Sequence, residues 1–168
     1  AVSQSSASVT QAAPLDVLCL MSGLLQSSQE AVRQWRVDIL PLDAVSRLQR
    51  FKDLLRRVAA ANSHASRICI CDELVREGAA ATLIADAEEL SKDRQGRAFE
   101  LVLQLLEQNE ESCHYLGRSP AFEKLVAFAT SNLQHVVHRT DPGLWCLTGL
   151  QCMNTILAVS SDARGVVC

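Results

Sequence analysis

The chain has 168 residues, a formal net charge of −3 and a pI near 5.8, which fits one domain with a substantial core and not two. Acidic and basic residues are interspersed with no Lys/Arg block, which argues against nucleic acid as a partner. Hydrophobic residues make up 48% but aromatics only 4%, with 4 Pro and 7 Gly, so Leu, Val, Ile and Ala must pack between helices rather than build a large sheet. The class expected is all-α.

Ala1 to Ala13 are Ser, Ala, Gln and Thr with almost no large apolar group, and read as a flexible tail. Residues 14–168 then read as a single helical domain, a fragment of a longer chain. Pro14 suits a first helical position, and Leu15, Leu18, Cys19, Met21, Leu24 and Leu25 mark one stripe. The run from Leu15 to Leu25 is the most apolar in the chain but falls short of the roughly 20 residues of a membrane span, and is expected to be a buried helix. No basic n-region marks a signal peptide. A second short helix through Ala31, Val32, Trp35 and Ile39 is ended by Pro41. Asp43 caps the next, with Val45, Leu48, Phe51, Leu54, Leu55 and Val58 inward and Arg47, Arg50, Lys52, Arg56 and Arg57 on its solvated side.

That helix fades at Ala61-Asn62-Ser63. Ser66 to Glu77 is helical until Gly78 breaks it, and Ala79 to Leu90 is helical again. Ser91 to Gly96 reads as a polar connection, Ala98 to Leu106 as a strong helix, and Asn109 as its punctuation. Ser119-Pro120 opens a helix that buries Phe122, Leu125, Val126 and Phe128. Asp141-Pro142-Gly143 is a break with Asp141 as a cap, and Leu144 to Val159 is the last full helix. The apolar end Val166, Val167 and Cys168 is expected either to continue into further chain or to pack against another copy or subunit.

Polar turns at Asn62, Asn109 and Ser160 are about 47 and about 51 residues apart, close to the roughly 40–47 of stacked two- or three-helix repeats. Ala98 to Phe128, AFELVLQLLEQNEESCHYLGRSPAFEKLVAF, resembles an armadillo repeat junction. It has an apolar third helix, an Asn109-Glu110-Glu111 turn, a short first helix, a small-residue break and a second helix bearing Leu125-Val126. Weaker echoes run from Leu54 to Ile84 and from Leu150 onward. The resemblance implies a right-handed α-α superhelical stack of about three armadillo-like repeats, used as a protein-binding scaffold or adaptor rather than an enzyme. It implies further that a partner helix or extended segment lies along the groove of the third helices. The positions matching the family's groove ladder are Asp53 and Arg57, Glu100 and Gln104, and Gln151 and Thr155, with the usual Trp–Asn pair absent from each. Arg57, Glu100, Gln104, Gln151 and Thr155 are the contact residues so implied. Formin regulatory domains and some exchange factors use similar stacks, which implies a second reading, a regulator of a small or heterotrimeric GTPase.

Other chemistry finds little support. G-x-S-x-G, Walker A and G-x-G-x-x-G sequences are absent. His114 follows Cys113 directly, which on a helix puts the two on different faces, so no nucleophile pair is expected. His135 and His138 share a face, with Cys146 and Cys152 downstream, but no paired C-x-x-C knuckle completes a zinc site, and Cys69 and Cys71 would point to different sides. No cofactor or metal is therefore expected. Seven cysteines among apolar neighbours read as small core hydrophobes in a reducing compartment, the cytoplasm first and the nucleus second. Glu107, Glu110 and Glu111 with Asp86, Glu88 and Glu89 form an acidic margin, read first as solvated turns and second as a dock for a basic partner. Trp35 and Trp145 are expected in the core.

Overall fold

A computed structural model describes residues 13–137 and 144–167, with side chains described for 17–131 and 147–167. The tail ahead of Ala13, the cap at Asp141, the Pro142-Gly143 break, His138 and Cys168 lie outside the described residues, as do the side chains of His135, Trp145 and Cys146.

The described residues are all-α, without a strand. In order they form α1 (Ala13–Gln34), a π-helical turn (Trp35–Ile39), α2 (Ala44–Ala61), α3 (His64–Arg76), α4 (Ala79–Ala87), α5 (Lys92–Leu106), α6 (Glu110–Gly117), α7 (Pro120–Val137), α8 (Leu144–Val159) and α9 (Ser161–Val167). The packing is like on like. Helix α3 meets α6 and α6 meets α9, α4 meets α7, and α5 meets α2 on one side and α8 on the other. Helix α1 lies beside α3, at the start of the α3–α6–α9 row.

The start signals are legible in single residues. Asp43, Ser63, Asn109 and Ser160 each precede a helix and each accept the backbone N–H three residues on, from Ser46, Ser66, Ser112 and Ala163, at 3.2–3.3 Å. A side-chain oxygen there satisfies a donor that the first turn leaves without an intrahelical partner. Ser63, Asn109 and Ser160 open α3, α6 and α9, so the same device recurs at the head of successive helix groups, α3–α5, α6–α8 and the one that α9 begins, called units below. Gly78 turns α3 into α4 with φ +87°, a left-handed conformation that other residues resist. Between α6 and α7 the break falls instead at Ser119, and Pro120 supplies the first residue of the new helix.

The core runs between the rows: Phe51, Leu74, Leu83, Phe99, Leu105, Phe122 and Leu125 are fully buried. Trp35 stands edge-on to Phe51 with ring centroids 5.2 Å apart, and Phe99 is tilted against Phe128 at 4.8 Å. Gly117 of α6 lies against the start of α9. A Cβ there would lie 2.7 Å from Ser160 Oγ and 3.1 Å from Ala163 Cβ, so any side chain would push α9 outward.

Several expectations are corrected. The described part of the Leu15–Leu25 run is largely exposed: Leu18, Met21 and Leu25 are each about 60% exposed and Leu24 is half-buried, because among the described elements α3 flanks only one side of α1. Nor is there a separate helix over Ala31–Ile39. No Pro or Gly stands between Gly23 and Pro41, so α1 runs unbroken into the π-helical turn, where the Leu40 N–H bonds the Trp35 carbonyl at 2.8 Å. Ser91–Gly96 is not a connection, since α5 starts at Lys92. Asp93 suits the positive end of the helix, and Gln95 Nε2 donates to the Ala87 carbonyl at 2.7 Å, satisfying the end of α4. Arg47 and Asp86 leave the surface sets assigned to them. Arg47 Nη1 bonds both Asp86 oxygens at 2.5 and 2.6 Å, with the two side chains only 15% and 11% exposed.

The cysteines divide. Cys71, Cys113 and Cys152 are buried as expected, whereas Cys19 and Cys69 are exposed, so the core-hydrophobe reading fails for those two. Burial pushes the buried thiols up from the ordinary value of 9, to about 11 for Cys71, about 11 for Cys113 and about 12 for Cys152. The native state therefore holds these protons more tightly than the unfolded chain does. The stability so gained is complete below pH 9 and is lost as pH climbs from 9 through 11–12. Iodoacetamide at pH 8 should alkylate Cys19 and Cys69 rapidly and leave the other three untouched until denaturant is added, as read by peptide mass spectrometry. Rapid native labelling of Cys152 would contradict its burial.

Candidate functional site

Helices α2, α5 and α8 form one row, and the polar positions implied as contacts lie along it. Glu100 and Gln104 are four apart on α5, Gln151 and Thr155 four apart on α8, so each pair occupies one helical face. The structure brings all four together. With Leu103, Glu107, Gln108 and Thr148 they line an open cleft of about 510 Å³ between α5 and α8. Its floor is fixed by the tight seating of α8 on α5, where the buried Cys152 Sγ donates to the Phe99 carbonyl at 3.2 Å and Ile156 is fully buried.

Glu100, Gln104 and Gln151 are exposed and Thr155 is half-buried. The Thr155 hydroxyl spends its proton on the Gln151 carbonyl at 2.8 Å, so it faces the cleft as an acceptor. The cleft thus offers the amides of Gln104, Gln108 and Gln151, the carboxylates of Glu100 and Glu107 and the Thr155 hydroxyl oxygen, suited to backbone or side-chain hydrogen bonds of a peptide. Gln108 closes one end in the left-handed region, φ 55°, and His64 Nε2 at the start of α3 holds its Oε1 at 2.6 Å.

Arg57 is not part of that group. It lines a separate cleft of about 480 Å³ with Gln34, Asp38, Arg50 and Asp53, and its Nη2 donates to Gln34 Oε1 at 2.8 Å. A smaller space of about 270 Å³, bounded by Leu55, Arg67, Gln104 and Glu107, lies between. Gln104 and Glu107 belong to both this space and the α5–α8 cleft, so the row carries a chain of clefts rather than one. The acidic margin does not form a unit. Asp86 is buried against Arg47, while Glu107 belongs to the α5–α8 cleft and Glu110 and Glu111 to the first turn of α6.

A larger cleft lies elsewhere, at a stretch that the sequence reading placed in the core. Between α1 and α3 an apolar groove of about 830 Å³ is lined by Leu18, Met21, Leu25, Val32 and Ile68, with Asp72, Glu73 and Glu111 at its margin. The available signal was the length of charge-free sequence from Val17 to Gln29, longer than one helical face needs.

Among the described residues no three His, Cys, Asp or Glu side chains gather as a metal would require, and no helix is long and apolar enough to cross a membrane. No family model, curated protein or solved structure matches the chain.

Proposed function

We propose that this chain is a divergent armadillo-like stack acting as a non-catalytic scaffold or adaptor, which takes a partner helix or extended segment along the α2–α5–α8 row. The observation that carries the reading is the convergence of Glu100, Gln104, Gln151 and Thr155 on one cleft. The superhelical arrangement is supported by like-on-like packing and by the recurring caps at Ser63, Asn109 and Ser160. Affinity comes from a few anchors seated between the helices, with the amides fixing register. The buried unpaired thiols of Cys71, Cys113 and Cys152 suit a reducing compartment, and the cytoplasm is the one proposed.

The test is the pair Gln104→Glu and Gln151→Glu, which adds two charges to a cleft already holding Glu100 and Glu107 while touching no buried contact. Proximity labelling of the wild type and the double variant in the same cells should show a partner whose recovery drops at least about tenfold, as expected for disturbing an interface centre. A labelled set unchanged in the double variant, with its circular dichroism and melting midpoint intact, would sink the groove reading.

A further inference from the structure

The α1–α3 groove lies apart from the α2–α5–α8 row, on the side built by the first helices of the units. Two of its properties are unusual together. Its floor and one wall are apolar, with Leu18, Met21 and Leu25 at i, i+3 and i+7 along α1 and each about 60% exposed. Three or four adjacent large side chains left in water at that level mark an interaction surface rather than scattered surface residues. Its opposite margin is acidic. Asp72 and Glu73 on α3 and Glu111 on α6 line it, and among the described residues no Lys or Arg does.

Arg76 is bonded to Asp72 at 2.9 Å and lies 3.8 Å from Glu111, and its guanidinium also rests 5.6 Å over the Tyr115 ring. One guanidinium against three carboxylates leaves the margin net negative. Ser112 Oγ adds a 3.0 Å bond to Asp72, so that carboxylate is held in place while Glu73 and Glu111 are exposed.

We propose that this groove docks an amphipathic helix of another protein, with apolar anchors on one stripe and Lys or Arg along its flank. The stretch of α1 from Leu18 to Val32 is about four turns long and sets the length of helix that fits. Charge decides against two occupants, residues 1–12 and α1 of a second copy. Residues 1–12 contain no Lys or Arg, and α1 of a second copy is charge-free from Val17 to Gln29, so neither would answer the acidic margin. A basic flank answers it, steers the encounter and sets the orientation of the helix.

The probe is a synthetic fluorescein-labelled helix of about four turns, leucines at i, i+3 and i+7 and lysines flanking them. A second peptide carries glutamates in place of the lysines. Fluorescence anisotropy with the whole chain should show the lysine peptide binding at least about tenfold tighter than the glutamate peptide. Leu25→Glu, at an exposed position that folding does not need, should abolish binding. Glu73→Lys with Glu111→Lys should invert the preference between the peptides. The Gln104→Glu and Gln151→Glu variant should bind the lysine peptide like wild type, which separates this surface from the α5–α8 cleft. Equal binding of the two peptides, or binding of neither, overturns the proposal. So does a concentration-dependent dimer in analytical ultracentrifugation that Leu25→Glu dissolves, since a second copy would then be the occupant.

Discussion

Replacing Asp86 with alanine should lower the unfolding free energy by about 3 kcal/mol, the loss expected when one partner of a buried ion pair is removed. Asp86 sits at the end of α4 and Arg47 in the first turns of α2, so their bond joins two helices 39 residues apart. The same guanidinium donates to the carbonyls of Leu40 (3.0 Å) and Leu42 (2.6 Å), which lie in the turn that leads out of the π-helical segment. Without Asp86, a charge that is mostly shielded from water keeps only neutral acceptors. That residual desolvation, more than the lost attraction, is the cost. Native domains are stable by about 5–15 kcal/mol, so the loss is a large share of the total. Urea unfolding of Asp86→Ala, Arg47→Met and the double variant forms a cycle that separates the terms. The double variant should be more stable than the sum of the two single losses predicts, because no uncompensated charge is then left inside. A loss under about 1 kcal/mol for Asp86→Ala would place the pair with ordinary surface ion pairs.

Trp35→Ala should cost about 3–5 kcal/mol, the range for removing a large buried aromatic. Its effect should also be local. Trp35 is fully buried, touches Phe51, and its indole N–H donates to the Glu77 carbonyl at 3.3 Å. Next to it, Arg36 makes two 2.6 Å bonds to the Glu77 carboxylate. The π-helical turn is therefore pinned to the junction of α3 and α4 through Glu77, and Trp35 and Ile39 are its buried side chains. In hydrogen exchange, the amides from Ala31 to Ile39 should lose protection in the variant while those of α5 and α8 keep theirs. Trp35→Phe preserves much of the packing and forfeits the N–H bond, and should cost about 1 kcal/mol. Uniform loss of protection across the chain would show that the turn is not an independently released element.

Helix starts were legible because they depend on one side chain and its own backbone: Asp43, Asn109, Gly78 and Pro120 all act within a turn. The grouping of Glu100 with Gln104 and of Gln151 with Thr155 was legible for a related reason, since i, i+4 spacing fixes a shared face. What brought the two pairs together was the assumed correspondence of α5 with α8. That correspondence does not carry Arg57 along, because the end of α1 and the π-helical turn crowd its side of α2 and draw it to Gln34. The Arg47–Asp86 pair was not legible, as nothing local distinguishes an arginine that will fold inward from Arg50 or Arg56 on the same helix. Apolar periodicity misled at α1. It reports that a helix has a greasy face and is silent on whether the rest of the chain comes round to cover it.

The side-chain ties between units run short distances along the chain: Arg36 to Glu77 spans 41 residues, Asn109 to Ile68 41, Ser112 to Asp72 40 and Arg118 to Asp162 44. Each reaches from one unit to the next. In the stack proposed above, ties of this kind make a row of clasped links more than a knotted ball. Tension between its two termini would be borne link by link, and the weakest clasp would open first while its neighbours stayed shut.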